Sequence, residues 1–340
     1  METRHKSMDL LRAAAILLVI LAHTVLSYGA PPSLAPLQFG GSGVDLFFVL
    51  SGWLLGGQLF KELVRDGRVD VRRFWIRRWM RTLPAYYSVL LLSVIQRYIT
   101  KDNVNFPWQY FVFVQNYDFP LQFFSISWSL CVEEQFYLLI APIVALSVSF
   151  GPKRTTSILI AMLVLPLLFR SLGWYGYTEE THVRIDCCVV GVLLAYAQRC
   201  YPLVWSILTK YAKWAAAVAL IGYVLVYVSR YQEWSYVANP DKLLLAAIFA
   251  SWVILANASR EWRETLYFPG AYHVATRSYA LYLVHPEVLA LLKRLSTTIP
   301  FPIYLSLAVA GSLLVAEMLY RFIEKPFMDA RENYGLSKTT

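Results

Sequence analysis

The residues of this chain with the clearest chemical potential are charged or titratable groups inside long apolar segments. The first such segment contains Asp9, Arg12 and His23. On an α-helix, Arg12 and His23 lie on one face, about 20° apart and roughly 16 Å from each other along the axis. A guanidinium binds anions, and an imidazole exchanges a proton near neutral pH. The spacing therefore predicts an anion-binding group aligned with a general base, with a core histidine bonded to a neighbouring helix as the structural alternative.

A basic stretch, residues 61–81, contains eight Lys or Arg residues and three Asp or Glu residues. At its end, Arg77 and Arg78 each precede Arg81 by about one helical turn, so three guanidinium groups can converge on one face. Convergent arginines are good phosphate ligands. An anchor for anionic lipid head groups explains the charge alone equally well. Together with Arg12, these arginines are the candidate phosphate-binding residues.

Two adjacent carboxylates, Glu133 and Glu134, stand near the start of another apolar segment. Neighbours on a helix point in different directions, so at most one of them is expected to face a given cavity. Tyr137 follows Glu133 by one turn and could hold its carboxylate; stabilisation of the helix dipole is the alternative role. Three further charged residues mark predicted segment ends, where they could pair with one another or line a cavity: Asp45, Arg184 and Asp186.

His285 lies midway through a late apolar segment, directly before Pro286. A proline removes a backbone donor and loosens a helix, which membrane proteins tolerate beside cavities. Structural and functional roles are equally consistent with this position. The cysteines lie in apolar segments without metal-ligand spacing, so we expect neither disulfides nor a metal site.

Membrane helices are required to position these residues. The 340 residues are 58% apolar and 16% charged, with a mean hydropathy of +0.48, whereas soluble domains are about 25% charged. Runs of membrane-spanning length predict an all-α polytopic bundle of about ten transmembrane helices. Their approximate positions are 10–30, 44–60, 83–100, 128–150, 156–176, 183–200, 213–231, 241–258, 278–294 and 302–322.

The distribution of basic residues orients this bundle. With alternate connections in the cytoplasm, 23 of the 31 Lys and Arg residues fall on that side, which predicts cytoplasmic N- and C-termini. The net charge of +9 is then largely topological, and a nucleic-acid partner loses its support. A cleavable signal peptide is disfavoured because charged residues and His23 interrupt the first apolar run. We expect a membrane domain over residues 1–328 and a short cytoplasmic tail over 329–340.

Taken together, these residues resemble the acyltransferase-3 family of integral membrane acyltransferases, from Met8 to Phe327. The likeness is carried by motifs in the expected order: 8–16 followed by Ala22 and His23, 43–52, Arg78 and Arg81 leading to Leu83 and Pro84, 128–137, 184–186, 278–285 and 324–327. Each motif is weak alone, and the ordered set is specific.

This resemblance implies a membrane-bound O-acyltransferase of the bacterial cytoplasmic membrane. Such proteins transfer an acyl group, usually acetyl, from cytoplasmic acyl-CoA to a hydroxyl of a surface or lipid-linked glycan. Acyl-CoA is then a donor substrate, and no permanently bound cofactor is expected. Some relatives carry an extracytoplasmic hydrolase-like domain, which is not visible here; a separate transfer protein, action by this domain alone and a homodimer all stay open.

The residues take their expected roles within that reaction. His23 would be the general base, and Glu133 would orient it or bind acceptor hydroxyls. Arg78 and Arg81, helped by Arg77 and Arg12, would bind the CoA phosphates. The acceptor-side or supporting residues would be Asp45, Glu134, Tyr137, Arg184, Asp186 and His285.

Three alternatives stay open from the sequence. A proton-coupled transporter of an anionic small molecule would also place titratable residues near the membrane midplane, although no internal repeat is visible. A scaffold whose basic stretch recruits lipid or protein would leave the buried histidines unexplained. Finally, the acceptor of the acyl group could be a small metabolite or a lipid.

Overall fold

The computed structural model describes residues 5–100, 105–231, 241–259, 261–262 and 268–336. Every regular element in these residues is helical, which confirms the predicted all-α class. A 3-10 segment, Pro32–Ser42, follows the first helix, and a π-helical turn, Tyr320–Glu324, precedes the last. The α-helices are α1 (Lys6–Ser27), α2 (Gly43–Asp66), α3 (Val71–Thr100), α4 (Trp108–Phe111), α5 (Ser127–Leu172), α6 (Asp186–Cys200), α7 (Pro202–Lys210), α8 (Ala212–Tyr231), α9 (Asp241–Asn257), α10 (Ala271–Thr276), α11 (Ser278–Leu292), α12 (Phe301–Leu319) and α13 (Lys325–Leu336).

Helix length and composition can be compared with the predicted spans. Among the described residues, five stretches are long and apolar enough to cross a membrane: Lys6–Ser27, Pro32–Asp66, Ser127–Ser147, Ser149–Leu172 and Phe301–Arg331. A sixth arises if α6 and α7, which meet at 114°, form one broken span. The described apolar stretches of α8 and α9 are shorter. The total of ten crossings and the orientation of the termini stay predictions.

The basic stretch is divided between two helices. Gly67, in the left-handed region at φ +66°, ends α2 and donates its N–H to the Leu63 carbonyl. Asp70 then caps α3, because its carboxylate accepts the N–H of Arg73 at 2.9 Å. Arg77, Arg78 and Arg81 therefore stand on a long helix that runs on to Thr100, and only a short turn separates it from α2.

A break divides α5 into two membrane-capable halves. Gly151 adopts φ +74° and ψ 167°, which is not helical, and Pro152 follows it. A residue with a side chain rarely adopts this φ, so glycine suits the break. The predicted short connection at 151–154 coincides with it, and both halves of α5 belong to one bent element.

The tightest helix contact in the core joins α2 to α6. A Cβ atom added to Gly52 would lie 1.9 Å from the Cys188 carbonyl oxygen, and one added to Gly191 would lie 2.2 Å from the Val49 carbonyl oxygen. Such distances mean that the two backbones touch, as small residues permit in membrane bundles. This contact fixes α2, whose other face borders the candidate site.

The predicted tail begins as a helix, since residues 329–336 continue α13. Residues 337–340 lie outside the described residues. The same applies to several basic residues used in the orientation count: Arg4, Lys101, Arg260, Arg263 and Lys338.

Candidate active site

The candidate residues lie at two ends of the helical bundle. We call the end that holds Arg12, Arg77, Arg78 and Arg81 the arginine end. The opposite end is where α1 finishes and α2 starts. Because α1 is an unbroken helix, it carries Arg12 at the arginine end and places His23 in its last turns, close to the opposite end.

His23 contacts the second histidine singled out from the sequence. Its Nδ1 lies 3.0 Å from Nε2 of His285, and the ring centroids are 5.0 Å apart. His285 is fully buried, whereas His23 is partly buried. The Nδ1 atom of His285 lies 3.1 Å from the Leu281 carbonyl oxygen. The fold therefore brings together two imidazoles from α1 and α11.

The hydrogen bonds of this pair define which ring nitrogen carries a proton. A carbonyl oxygen only accepts, so Nδ1 of His285 must donate to Leu281. As a neutral ring, His285 then accepts at Nε2, and His23 donates from its own Nδ1. Neutral His23 consequently keeps an unprotonated Nε2 with a free lone pair. This is the nitrogen that can act as a general base.

Glu133 has partners other than His23. Its carboxylate accepts hydrogen bonds from Ser51 Oγ at 2.8 Å, Tyr137 OH at 2.8 Å and Arg78 Nη2 at 3.3 Å. His23 is not among these partners, and the imidazole that contacts His23 is that of His285. The first turns of α5 direct Glu133 toward α2 and α3. The two expected roles of Glu133, orienting His23 or binding acceptor hydroxyls, stay predictions. The contact with Tyr137 follows the one-turn spacing seen in the sequence.

Arg78 is neutralised inside the bundle. It pairs with Glu133 at 3.3 Å and has its Nε atom 3.9 Å from Glu134, which also accepts a hydrogen bond from Thr82 at 3.1 Å. The guanidinium carbon lies 4.4 Å from the centre of the Tyr137 ring. Arg78 is thus engaged by carboxylates and an aromatic face. Arg78 nevertheless lines one cavity together with Arg77 and Arg81, so the three arginines converge on a common wall, and their binding of a phosphate stays a prediction.

Arg81 has a different environment from Arg78. No carboxylate of a described residue lies within ion-pair distance of it, although it borders two cavities. The first, the central cavity, has a volume of 140 Å³, and its wall includes Arg12, Arg78, Arg81 and Glu133. Uncompensated guanidinium groups at a cavity wall are suited to an anionic ligand.

A second cavity, the basic cavity, adjoins the central one at the arginine end. It has a volume of 400 Å³ and shares Leu55, Gln58, Arg78 and Arg81 with the central cavity. Its wall also contains a set of further basic side chains: Lys61, Arg65, Arg73, Arg77 and Arg331. Arg77 donates to the Arg331 carbonyl oxygen at 3.3 Å. The two cavities therefore adjoin at these shared residues, and cations line the larger one.

Tyr282 connects the central cavity to the histidine pair. Its ring lines the cavity, lies 6.4 Å from the ring of Phe47 and lies 5.7 Å from the ring of His285. The Tyr282 hydroxyl bonds to Ser129 and to the Ile126 carbonyl oxygen, which fixes the ring. One aromatic side chain thus separates the cavity from the paired imidazoles.

The charged residues at the opposite end form three ion pairs. Arg184 Nη2 lies 2.9 Å from Asp45 Oδ1, and Lys242 Nζ lies 3.5 Å from Asp45 Oδ2. Asp186 does not pair with its sequence neighbour: Arg170, from the end of α5, donates to it at 2.8 Å. The sequence left both pairings open, because short-range spacing does not define which helices meet.

Several residues of the site were not selected from the sequence, notably Ser51, Thr82, Tyr282 and Glu324. Tyr282 stands in the motif that contains His285, and Glu324 opens the last motif of the chain, so the motifs offered a signal for both. Glu324 is 2% exposed, ends a π-helical turn, and its Oε1 atom has no hydrogen-bond partner among the described residues. Such turns are frequent at functional sites.

Comparison with known proteins gives a consistent set of relatives. The peptidoglycan O-acetyltransferase OatA of Listeria monocytogenes is 28% identical over 94% of this chain and 55% of its own length. The O-acetyltransferase OatA of Staphylococcus aureus is 25% identical over 94% of this chain and 56% of its own length. This chain spans about half the length of these curated relatives. No solved structure matches it.

The family described as Acyltransferase domain matches residues 5–321. That range contains both histidines, all the candidate arginines and every acidic residue selected from the sequence. It also extends over the ordered motifs up to the π-helical turn. The chain therefore belongs to this acyltransferase family, the one that its sequence motifs resemble.

Proposed function

We propose that this protein is a membrane-bound O-acetyltransferase. It transfers an acetyl group from cytoplasmic acetyl-CoA to a hydroxyl of a surface or lipid-linked glycan, of the peptidoglycan type for which its relatives are named. The arginine end lies in the cytoplasm with both termini, and the histidine pair lies toward the outer face of the cytoplasmic membrane. The charge distribution and the family membership support this orientation.

The observation that carries the proposal is the joint geometry of cavities and histidines. The basic cavity at the arginine end adjoins the central cavity, and Tyr282 in the wall of the central cavity contacts His285, the hydrogen-bond partner of His23. A phosphate-rich donor binds at a cationic surface, whereas deprotonation of a hydroxyl requires a base. The adjoining cavities bring the cationic surface and the wall in front of the histidine pair into one region of the protein.

Donor binding is assigned mainly to Arg77 and Arg81, with Arg12 at the entrance to the central cavity. Arg78 supports the site by holding Glu133 and Glu134. The acyl-pantetheine arm extends along α1 toward His23. The separation of Arg12 and His23, roughly 16 Å along the helix, is comparable with the length of that arm.

The chemical step balances as a direct transfer. The acceptor hydroxyl oxygen bonds to the thioester carbonyl carbon, its proton passes to Nε2 of His23, and the carbon–sulfur bond breaks. His23 then returns the proton to the departing CoA thiolate. An acyl-histidine formed on the same nitrogen gives the same net reaction in two steps. His285 keeps His23 in the tautomer that both routes need.

Replacement of the base tests the proposal. We expect His23→Ala to lower acetyl transfer by about 100-fold or more while it leaves folding and acetyl-CoA binding intact. The assay incubates protein in liposomes with labelled acetyl-CoA and peptidoglycan fragments, then measures labelled ester and released CoA. His273→Ala is the control, because His273 is an exposed imidazole remote from the pair. Transfer by His23→Ala at the wild-type rate would refute the assignment.

A further inference from the structure

A third cavity, of 170 Å³, lies at the opposite end of the bundle. Its wall comes from the 3-10 segment Pro32–Ser42, from the starts of α2, α5 and α9, and from the loop before α6. It combines two aromatic side chains with four charged ones: Phe39, Trp128, Asp45, Glu179, Arg184 and Lys242. We call it the opposite-end cavity. None of its charged groups has a role in the chemical step described above.

Arg184 is the best-defined ligand-facing group of this cavity. The residue is 4% exposed, its Nη2 atom bonds to Asp45 at 2.9 Å, and its guanidinium carbon lies 5.1 Å from the centre of the Trp128 ring. Its Nη1 atom is buried and has no hydrogen-bond partner among the residues that the structure describes. A buried donor without a partner is costly, so a ligand oxygen at this position would satisfy it.

The balance of charge in the wall indicates what kind of ligand fits. Two carboxylates, Asp45 and Glu179, face two cations, Arg184 and Lys242, so the lining has no net formal charge. A neutral molecule with many hydroxyl groups suits such a wall better than a phosphate does. The aromatic rings of Phe39 and Trp128 add an apolar surface of the type on which the C–H face of a sugar ring packs.

We propose that the opposite-end cavity binds one neutral sugar ring of the acceptor glycan. Arg184 Nη1 donates to a hydroxyl or acetamido oxygen, Asp45 accepts from a sugar hydroxyl, and Trp128 and Phe39 contact the ring face. The cavity shares Val44 with the central cavity, so a glycan held here lies beside the cavity whose wall contacts His285 through Tyr282. The inference rests on the proposed function, because it assigns the chemical class and the binding site of the acceptor in that reaction.

Gly41 allows a test that leaves the ion pairs of this region untouched. It lines the cavity, and a Cβ atom added to it would meet nothing within 4 Å. Gly41→Phe is therefore expected to fill the cavity without disturbing the fold. Ser33→Phe is the matched control, since it adds the same ring to an exposed position of the same 3-10 segment.

Binding is measured by saturation-transfer NMR with the protein in lipid discs and a β-1,4-linked N-acetylglucosamine tetramer as the probe. A galacturonic acid tetramer serves as the anionic comparison. We expect the neutral tetramer to bind wild type and Ser33→Phe equally well. Its affinity for Gly41→Phe should be lower by about tenfold or more, because a ligand displaced from the cavity loses at least the hydrogen bond from Arg184. Equal binding to Gly41→Phe, no binding to wild type, or preference for the anionic tetramer would each overturn the inference.

Acetyl-CoA binding, measured on the same samples, separates the two proposals. Normal acetyl-CoA binding without glycan binding would overturn only the sugar site. Glycan binding that Gly41→Phe removes, with no acetyl-CoA binding in any sample, would uphold the sugar site and overturn the acetyltransferase function. Folding of each variant is checked by its thermal unfolding curve.

Discussion

At the scale of single residues, the hydrogen bond between His285 and His23 is the feature that most affects reactivity. The His285 ring is fully buried, and its Nδ1 atom donates a hydrogen bond to the Leu281 carbonyl oxygen. Its Nε2 atom can therefore accept a hydrogen bond from His23 Nδ1–H, which leaves His23 Nε2 unprotonated and available as the base. In the proposed reaction, His285 acts through His23 and is therefore a positioning residue.

Substitution of His285 should separate this role from simple packing. We expect His285→Leu to lower kcat about tenfold or more with little change in acetyl-CoA affinity, because the base loses its tautomer partner. His285→Gln should restore much of the rate, since its amide oxygen can accept from His23 Nδ1. The measurement is kcat and KM for both variants. An equal loss of kcat in His285→Leu and His285→Gln, in proportion to the fall in unfolding temperature, would show that His285 contributes only packing.

How far the site could be predicted depends on the range of each contact. The helical period placed Arg12 and His23 on one face and Tyr137 next to Glu133, because such relations depend only on local geometry. The bond between His23 and His285 joins residues 262 positions apart. Such a partner depends on which helices pack together, and one sequence does not contain that information in local form. For the same reason the sequence did not indicate that Glu133 bonds to Ser51 and Arg78.

At the scale of the elements, the contact between α2 and α6 holds the wall of the site in place. Ser51, which donates to Glu133, precedes Gly52 on α2, and Gly52 touches the backbone of α6. A side chain at that point would separate the two helices. The position of Ser51 in the central cavity therefore depends on a glycine that faces away from it.

Two glycines of the same helix give a matched pair of variants. Gly52→Ala adds a Cβ atom 1.9 Å from the Cys188 carbonyl oxygen, whereas Gly57→Ala adds one to open space. Overpacking of a dense contact costs about 1–3 kcal/mol or more; alanine in place of an unhindered helical glycine is stabilising by about 0.5–1 kcal/mol. We expect the unfolding temperature to fall for Gly52→Ala and to hold or rise for Gly57→Ala. The same shift in both variants would contradict this packing.

Element boundaries were predictable where local chemistry sets them. Gly67 and Asp70 end one helix and cap the next, and Gly151 with Pro152 divides α5 near the predicted connection. The spacing of the arginines indicated a helical end to the basic stretch that leads into the membrane, and the structure joins this end and span 83–100 in a single helix. Hydropathy separates polar from apolar segments, but backbone hydrogen bonds continue across that change. The 114° bend between α6 and α7 was not expected.

At the scale of the whole molecule, composition was sufficient for the all-helical class, because few charges and long apolar runs leave no other spanning architecture for a chain of this pattern. The number of crossings depends on shorter helices such as α8 and α9, whose described apolar stretches fall below the length of a full span. The positions of the two cavities relative to the histidine pair could be seen only in the packed structure. Orientation in the membrane can be tested directly.

Labelling from one side of the membrane tests the orientation. Asp66, beside the basic cavity, and Tyr175, in the loop between α5 and α6, are exposed at the two ends. In a Cys200→Ser background, Tyr175→Cys should react with an impermeant maleimide on intact cells, whereas Asp66→Cys should react only after permeabilisation, since basic connections stay in the cytoplasm. The reverse pattern would place the arginine end outside and exclude a cytoplasmic donor.

Binding of acetyl-CoA is the most direct test of the central claim, because it needs no acceptor. The experiment uses purified protein in lipid discs and compares wild type with Arg77→Gln/Arg81→Gln, whose arginines line the basic cavity. Arg68→Gln/Arg72→Gln is the matched control, since it removes two exposed arginines from the same stretch.

We expect acetyl-CoA to bind wild type and the control alike, and to bind Arg77→Gln/Arg81→Gln more weakly by about tenfold or more, as loss of charge-assisted bonds to phosphate requires. Equal loss of acetyl-CoA affinity in both double variants would show that the arginine end attracts acetyl-CoA only as a nonspecific basic surface. No binding of acetyl-CoA to wild-type protein would contradict the account of an acyl-CoA-dependent enzyme.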